Sequence, residues 1–338
     1  MSHDWLLVET LGSTPAVVAQ GRRTTRLVPI TSFLRRDPHL MAIQTAIGET
    51  LRAGHGLSSI TPKNDRVIRT EVVRMTDGRI HGVQLWVGPP DMEPPERPIP
   101  GAAVWHLTSG TAVATREALA NRGLDTDAGT STAVLAFAEN FPVSDIDGDE
   151  ARALAMLIRR RPGERFCGTF HLNDFRGEPI TVGLVARTML DPDEQQPVCR
   201  VMNWRAEPDP PAGDAGSNGA QQAAEASATP GVHRALLDLT SWTLLKWLDE
   251  PAPFFDWRAS LAADHLVHPE DRHRMRRMAA DFASGTACGI VRMAAGNGDG
   301  WAPVHVTVDR VELDDQVYAG LAALRRPDAA ELAALAPA

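Results

Sequence analysis

A chain of 338 residues is long enough for two or three ordinary domains, each with its own core. Its 34 basic and 43 acidic side chains leave a formal charge of −9, the wrong sign for a dedicated nucleic-acid or anionic-membrane surface. Three widely spaced cysteines, Cys167, Cys199 and Cys288, supply neither a disulfide framework nor a Cys-x-x-Cys metal pair, and fit a reducing cytoplasm.

The opening Met-Ser-His-Asp-Trp lacks the basic start and apolar run of a secretory leader, and no stretch reads as a membrane helix. A cytoplasmic location without membrane insertion is therefore expected. From Trp5 to Glu9 the chain reads as a strand, with a turn over Gly12 to Pro15 and a partner strand over Ala16 to Ala19. Asp37-Pro38 then opens an amphipathic helix whose stripe is Leu40, Ile43, Ile47 and Leu51, and Gly54 and Gly56 close it. Two strands, Arg66 to Met75 and Arg79 to Val87, are joined by Thr76-Asp77-Gly78, a hairpin turn. Gly88-Pro89-Pro90 ends this first domain, 1–90. Pro94, Pro95, Pro98 and Pro100 make the connector that follows stiff and extended.

The pattern restarts at Val104-Trp105. A helix over Asp149 to Arg160, with Ala151, Leu154, Ala155 and Ile158 inward, precedes three strands: Arg165 to Leu172, Pro179 to Thr188 and Val198 to Trp204. A middle domain of 101–206 results. Residues 207–231, rich in Pro, Gly, Ala, Ser and Asp and free of aromatics, read as a flexible linker.

The third domain, 232–326 with a tail of 327–338, is organised around Leu-Val-His-Pro-Glu-Asp-Arg, Leu266 to Arg272. Pro269 suits the first helical position, and Glu270 and Asp271 set negative charge against the positive end of the helix dipole. Met275, Met278, Ala279 and Phe282 then recur at helical spacing. Cys288 to Met293, a turn through Gly296, Gly298 and Gly300, the alternating Val304, Val306 and Val308, and Val317 to Leu324 follow as antiparallel strands. A helix crossing such a sheet, started by His-Pro-Glu-Asp-Arg, resembles a PAS domain.

The resemblance widens at the N-terminus. Asp-Trp-Leu-Leu-Val-Glu-Thr-Leu-Gly, Pro-His-Leu-Met-Ala-Ile-Gln-Thr-Ala-Ile-Gly-Glu-Thr and the run Ile60 to Thr70 are similar to an actinobacterial family of triple-sensor-domain proteins. These string three PAS- or GAF-type domains together without a kinase, cyclase or DNA-binding module. The resemblance covers essentially the whole chain. It implies an α+β fold of three tandem PAS/GAF-like domains and a cytoplasmic sensing or signalling role, and it carries over no catalytic residue and no cofactor.

Enzyme motifs do not contradict this. There is no Gly-x-Ser-x-Gly elbow, no Gly-x-x-x-x-Gly-Lys loop and no His-Glu-x-x-His. The glycines at 296, 298 and 300 precede strand residues where a dinucleotide loop needs a helix. His265, His268 and His273 cluster at one helix start, which suits a solvated turn better than a metal site lacking a further ligand. The expectation is a non-enzymatic sensor that binds a small molecule or a signalling protein; a scaffold with solid cores is the rival, and homo-oligomerisation stays open. The third domain holds Trp242, Trp247, Trp257 and Trp301, four of the eight tryptophans, beside flexible methionines able to line an adaptable pocket. Met278 and Trp301 are expected to face each other there, with His268 as the polar handle at the mouth.

Overall fold

The computed structural model describes residues 4–63, 65–124, 134–143, 146–208, 229–258, 267–281, 285–296 and 300–335. Three antiparallel sheets form the framework of the described residues. The first is built from β1 (Leu6–Glu9), β2 (Ala16–Gln20), β3 (Arg23–Pro29), β4 (Ser58–Ile60), β5 (Val67–Arg74) and β6 (Ile80–Gly88), in the order β3-β2-β1-β6-β5-β4. The second contains β7 (Gly101–His106), β8 (Thr111–Ala114), β9 (Val134–Ala136), β10 (Arg165–Asn173), β11 (Pro179–Leu190) and β12 (Pro197–Arg205), ordered β10-β11-β12-β7-β8-β9. The third contains β13 (His233–Leu237), β14 (Leu244–Trp247), β15 (Thr286–Ala294), β16 (Trp301–Asp314) and β17 (Val317–Arg325), ordered β14-β13-β17-β16-β15. In each sheet the opening strand lies beside the closing one.

Among the described residues helices are few: α1 (Ile30–Phe33), α2 (Leu40–Ala53), α3 (Arg116–Asn121), α4 (Gly148–Arg159), α5 (Arg272–Asp281) and α6 (Ala329–Leu335). The balance is thus more β than the expected α+β, because strands short on alternation escaped the sequence reading. β3, with Arg23, Arg26 and Pro29 exposed, is one; β13, five residues long, is another. The residues read as a C-terminal tail include α6. Most of the stretch read as a linker, 209–228, lies outside the described residues, as do His265, Leu266, Phe282 and Gly298.

Spatially the chain forms two bodies. One comprises Met1–Trp105, Val113–Ala133 and Arg160–Gly213; the other comprises His106–Ala112, Val134–Arg159 and Asp214–Ala338. Inside the first body, the first sheet is covered on both faces. Leu6, Val8, Val83 and Leu85 pack under α2 against Ile43, Ala46 and Ile47. Leu7, Val18, Val73 and Met75 meet Val104, Val185, Met202 and Trp204 of the second sheet. Alternate side chains of a strand point to opposite faces, so covering both faces buries every residue of β1. Glu9 is buried with them, and Arg187 holds it by two hydrogen bonds of 2.9 and 3.0 Å.

α2 ends as the sequence predicts, on Gly54 in the left-handed region at φ 74°. Gly183 does different work. It sits directly opposite Trp204 in the β11–β12 register, and a Cβ there would lie 2.2 Å from the indole.

In the second body, α4 carries Ala151, Leu154 and Ala155 inward as expected, with Ile158 only partly buried. The sheet it packs on is the third, against β16 and β17. Its first turn also brings Glu150 to Lys246 of β14, where the ammonium lies 2.7 Å from the carboxylate and 2.8 Å from the Pro142 carbonyl. Both side chains are almost wholly excluded from solvent.

Candidate ligand-binding hollow

The His-Pro-Glu-Asp-Arg phrase does more than start a helix. His268 caps a short 3-10 turn, Pro269–Asp271, its Nδ1 accepting from the Glu270 N–H at 3.3 Å, and α5 continues from Arg272. The same turn is tied to the edge strand β15. The His268 N–H donates to the Arg292 carbonyl at 2.8 Å, and Val267 bridges to Met293. Asp271, buried, accepts from the Arg292 backbone N–H and Nε, both at 2.8 Å, and from its terminal nitrogen at 3.0 Å. Those charge-assisted bonds hold the Asp271 carboxyl below its ordinary range. Glu270 takes a further bond from Arg292 at 2.9 Å.

This clamp fixes His268 against Trp301. Their rings meet edge to face, with centroids 5.0 Å apart and planes at 79°. Trp301 opens β16 and keeps 39 % of its surface exposed. It walls a hollow of 630 Å³ together with Pro253, Phe254, Pro303, Arg326 and Leu332. Pro303 stands two residues along the same strand and therefore on the same face as Trp301. Arg326 lies 5.8 Å above the Phe254 ring and is the one charged side chain lining the hollow among the described residues. An apolar wall with a single guanidinium favours a flat or greasy molecule bearing negative charge.

The predicted site residues separate into two groups. His268 and Trp301 come together, though His268 stands against Trp301 as a cap and brace and is absent from the hollow's lining. Met278 does not join them. It is buried beneath α5 with its sulfur 2.9 Å from where a Cβ of Gly289 would be, in a core shared with Val291, Met293, Val304 and Val306. Gly289 pairs with Val306 while Trp301 pairs with Ala294. Those register positions differ in parity along β16, so Met278 and Trp301 occupy opposite faces of the sheet and cannot face each other. Among the described residues, the layer beneath α5 holds Met278 packed with Val291, Met293, Val304 and Val306.

Phe254, Pro303, Arg326 and Leu332 were not expected. Phe254 lay in a run read simply as apolar, and Arg326 and Leu332 follow the last strand of the domain, where no periodic pattern marks them. Among the described residues no group of three or more His, Cys, Asp or Glu could hold a metal ion, and no helix is long and apolar enough to cross a membrane.

Three sheet-dominated domains in tandem define a class, and sequence comparison places the chain in it. Residues 4–96, 99–206 and 217–335 match the N-terminal, middle and C-terminal domains of the Rv3651-like family. The chain belongs to that family. A crystal structure of an uncharacterised protein from Mycobacterium tuberculosis is 49 % identical to it over 98 % of this chain and 99 % of its own, with a TM-score of 0.88. An RNA-binding light-oxygen-voltage receptor shares 13 % identity over 66 % of this chain and 95 % of its own, at a TM-score of 0.25. That last likeness is too slight to carry an argument. Comparison with curated proteins gives no match.

Proposed function

We propose that this protein is a non-enzymatic cytoplasmic sensor built from PAS/GAF-like domains, and that the third domain binds a small apolar anion in the Trp301 hollow. The observation that carries this reading is the tryptophan itself. A large aromatic, partly exposed yet braced by His268 through a salt-bridged turn, is oriented in advance for a partner. The helix-over-sheet plan of the first and third domains supports the PAS/GAF-like assignment. A ligand there would act through Trp301 on β16 and through His268 on the start of α5, two elements whose packing it could bias.

A second reading, a protein-interaction scaffold, is favoured by the burial of Met278 in a core with Val291, Met293, Val304 and Val306. Native mass spectrometry of the protein purified from its own host separates the two. The sensor reading expects a bound small molecule that is lost on Trp301→Ala while the first body stays folded. An unliganded chain that instead carries a stoichiometric protein partner would put the scaffold ahead.

A further inference from the structure

The first domain contains a second hollow, one that the reading above does not use. It lies between the α1–α2 segment and the sheet, with a volume of 380 Å³. Its floor is a cross-strand row: Gln20, Leu6 and Leu85 stand directly opposite one another on β2, β1 and β6. Phe33, Leu34 and Ile43 close it from the helical side, and Val87 extends the apolar surface. Leu6, Ile43 and Leu85 are buried, so this is a crevice between two packed layers.

The rim carries both signs of charge. Arg66 and His39 line it, and so do Asp37 and Asp4. Internal bonds fix the frame. Asp37 accepts the His39 backbone N–H at 2.8 Å through one oxygen, the His39 ring lies 3.4 Å from Asp65, and one terminal nitrogen of Arg66 donates to the Asp65 carbonyl at 2.7 Å. The other Arg66 nitrogens carry donors in the fork geometry that suits a carboxylate. Asp37 has a second oxygen able to accept from an ammonium.

We propose that this crevice binds a free α-amino acid with an apolar side chain. A purely anionic ligand would meet two aspartates, and a purely cationic one would meet Arg66; a zwitterion satisfies both. Its side chain would lie on Leu6, Leu85 and Ile43, with the carboxylate toward Arg66 and the ammonium toward Asp37. The volume sits near the lower end of the roughly 300–1,000 Å³ usual for small-molecule sites, which suits a single amino acid. The site is independent of the Trp301 hollow, and either could exist without the other.

The test is isothermal titration of the full chain with L-leucine, L-phenylalanine, leucinamide and N-acetyl-leucine. Saturable binding of the two free amino acids is expected, weakened at least about tenfold when either charge of leucine is removed, because Arg66 or Asp37, each partly withdrawn from water, then loses its charged partner. Arg66→Met should weaken leucine by a similar factor yet leave leucinamide unchanged, since that probe has no carboxylate to lose. Absence of saturation at millimolar leucine and phenylalanine would overturn the proposal. Equal affinity for all four probes, or an Arg66→Met penalty as large for leucinamide as for leucine, would overturn it too.

Discussion

Glu150 and Lys246 meet at 2.7 Å with both side chains almost fully withdrawn from water, joining α4 to β14 across 96 residues of sequence. Taking two charges out of water costs several kcal/mol each, and their attraction offsets this only while both are present. Lys246→Met should therefore destabilise the second body by about 3–5 kcal/mol at neutral pH. The double variant Glu150→Leu/Lys246→Met should recover most of that loss. Denaturant titration of the three proteins measures it, and a double variant as unstable as the single one would refute the assignment.

Burial also lifts the Glu150 carboxyl to about 7, because desolvation outweighs the attraction of Lys246. The folded value lies above the unfolded one near 4.5, so this group favours the fold fully below pH 4.5 and loses that contribution as pH rises through 7. Glu150→Gln should flatten that part of the stability profile between pH 5 and 8. An unchanged difference between those two pH values would count against it.

His81 gives the opposite dependence in the first body. Arg200 only donates, so the His81 Nε2 at 3.1 Å must accept, and Nδ1–H donates to the Val201 carbonyl at 3.0 Å. Burial then pushes the imidazole down to about 4. A depressed folded value makes the contribution full above pH 6.5 and progressively lost as pH falls through 4, by about 3 kcal/mol in all. His81→Gln should lose stability at pH 7 but show a shallower decline into acid than the parent, readable as denaturant midpoints at a series of pH values.

The Gly183–Trp204 pair predicts a steric asymmetry. Gly183→Ala forces the indole from its place and should cost about 1–3 kcal/mol. Gly148→Ala, where a Cβ meets open space at the start of α4, should be neutral or slightly stabilising. Thermal melts of the two variants decide it: equal shifts would mean that the indole has room to move.

At the turn before α5, Asp271→Ala should outweigh Pro269→Gly. The first removes a buried acceptor of three bonds from Arg292 and should cost about 2–3 kcal/mol. The second only frees the chain and should cost about 1 kcal/mol. Because His268 rides on the same turn, Asp271→Ala should also release Trp301, seen as a red shift of its emission in a variant retaining Trp301 as sole tryptophan of the third domain.

What was legible in the sequence follows from which forces leave a periodic trace. α2 was readable because Ile43 and Ile47 face one core and Gly54 ends the helix in a conformation few residues tolerate. β15, β16 and β17 were readable from alternating valines and a turn. β3 and β13 left no such trace, one having no fully buried residue and the other being very short. The candidate site was half legible. Trp301 and His268 announced themselves by type and position, but Arg326 and Leu332 reach the hollow only because the chain turns back after β17. Met278 misled for a physical reason: a methionine on a helical stripe reads the same whether it lines a cavity or fills the gap above a glycine.

The placement of α4 has a consequence for synthesis. The helix is buried round most of its circumference, yet the strands it covers, β16 and β17, begin about 140 residues after it ends. At roughly 5–20 residues per second, the ribosome leaves it without its partner for about 7–30 seconds. During that interval Ala151, Leu154 and Met156 lack the strands that cover them, so the nascent chain offers a greasy helix to chaperones and to neighbouring chains. Slow translation between 160 and 300 should lengthen that exposure and raise the aggregated fraction, while the finished protein, once released, shows no sign of it.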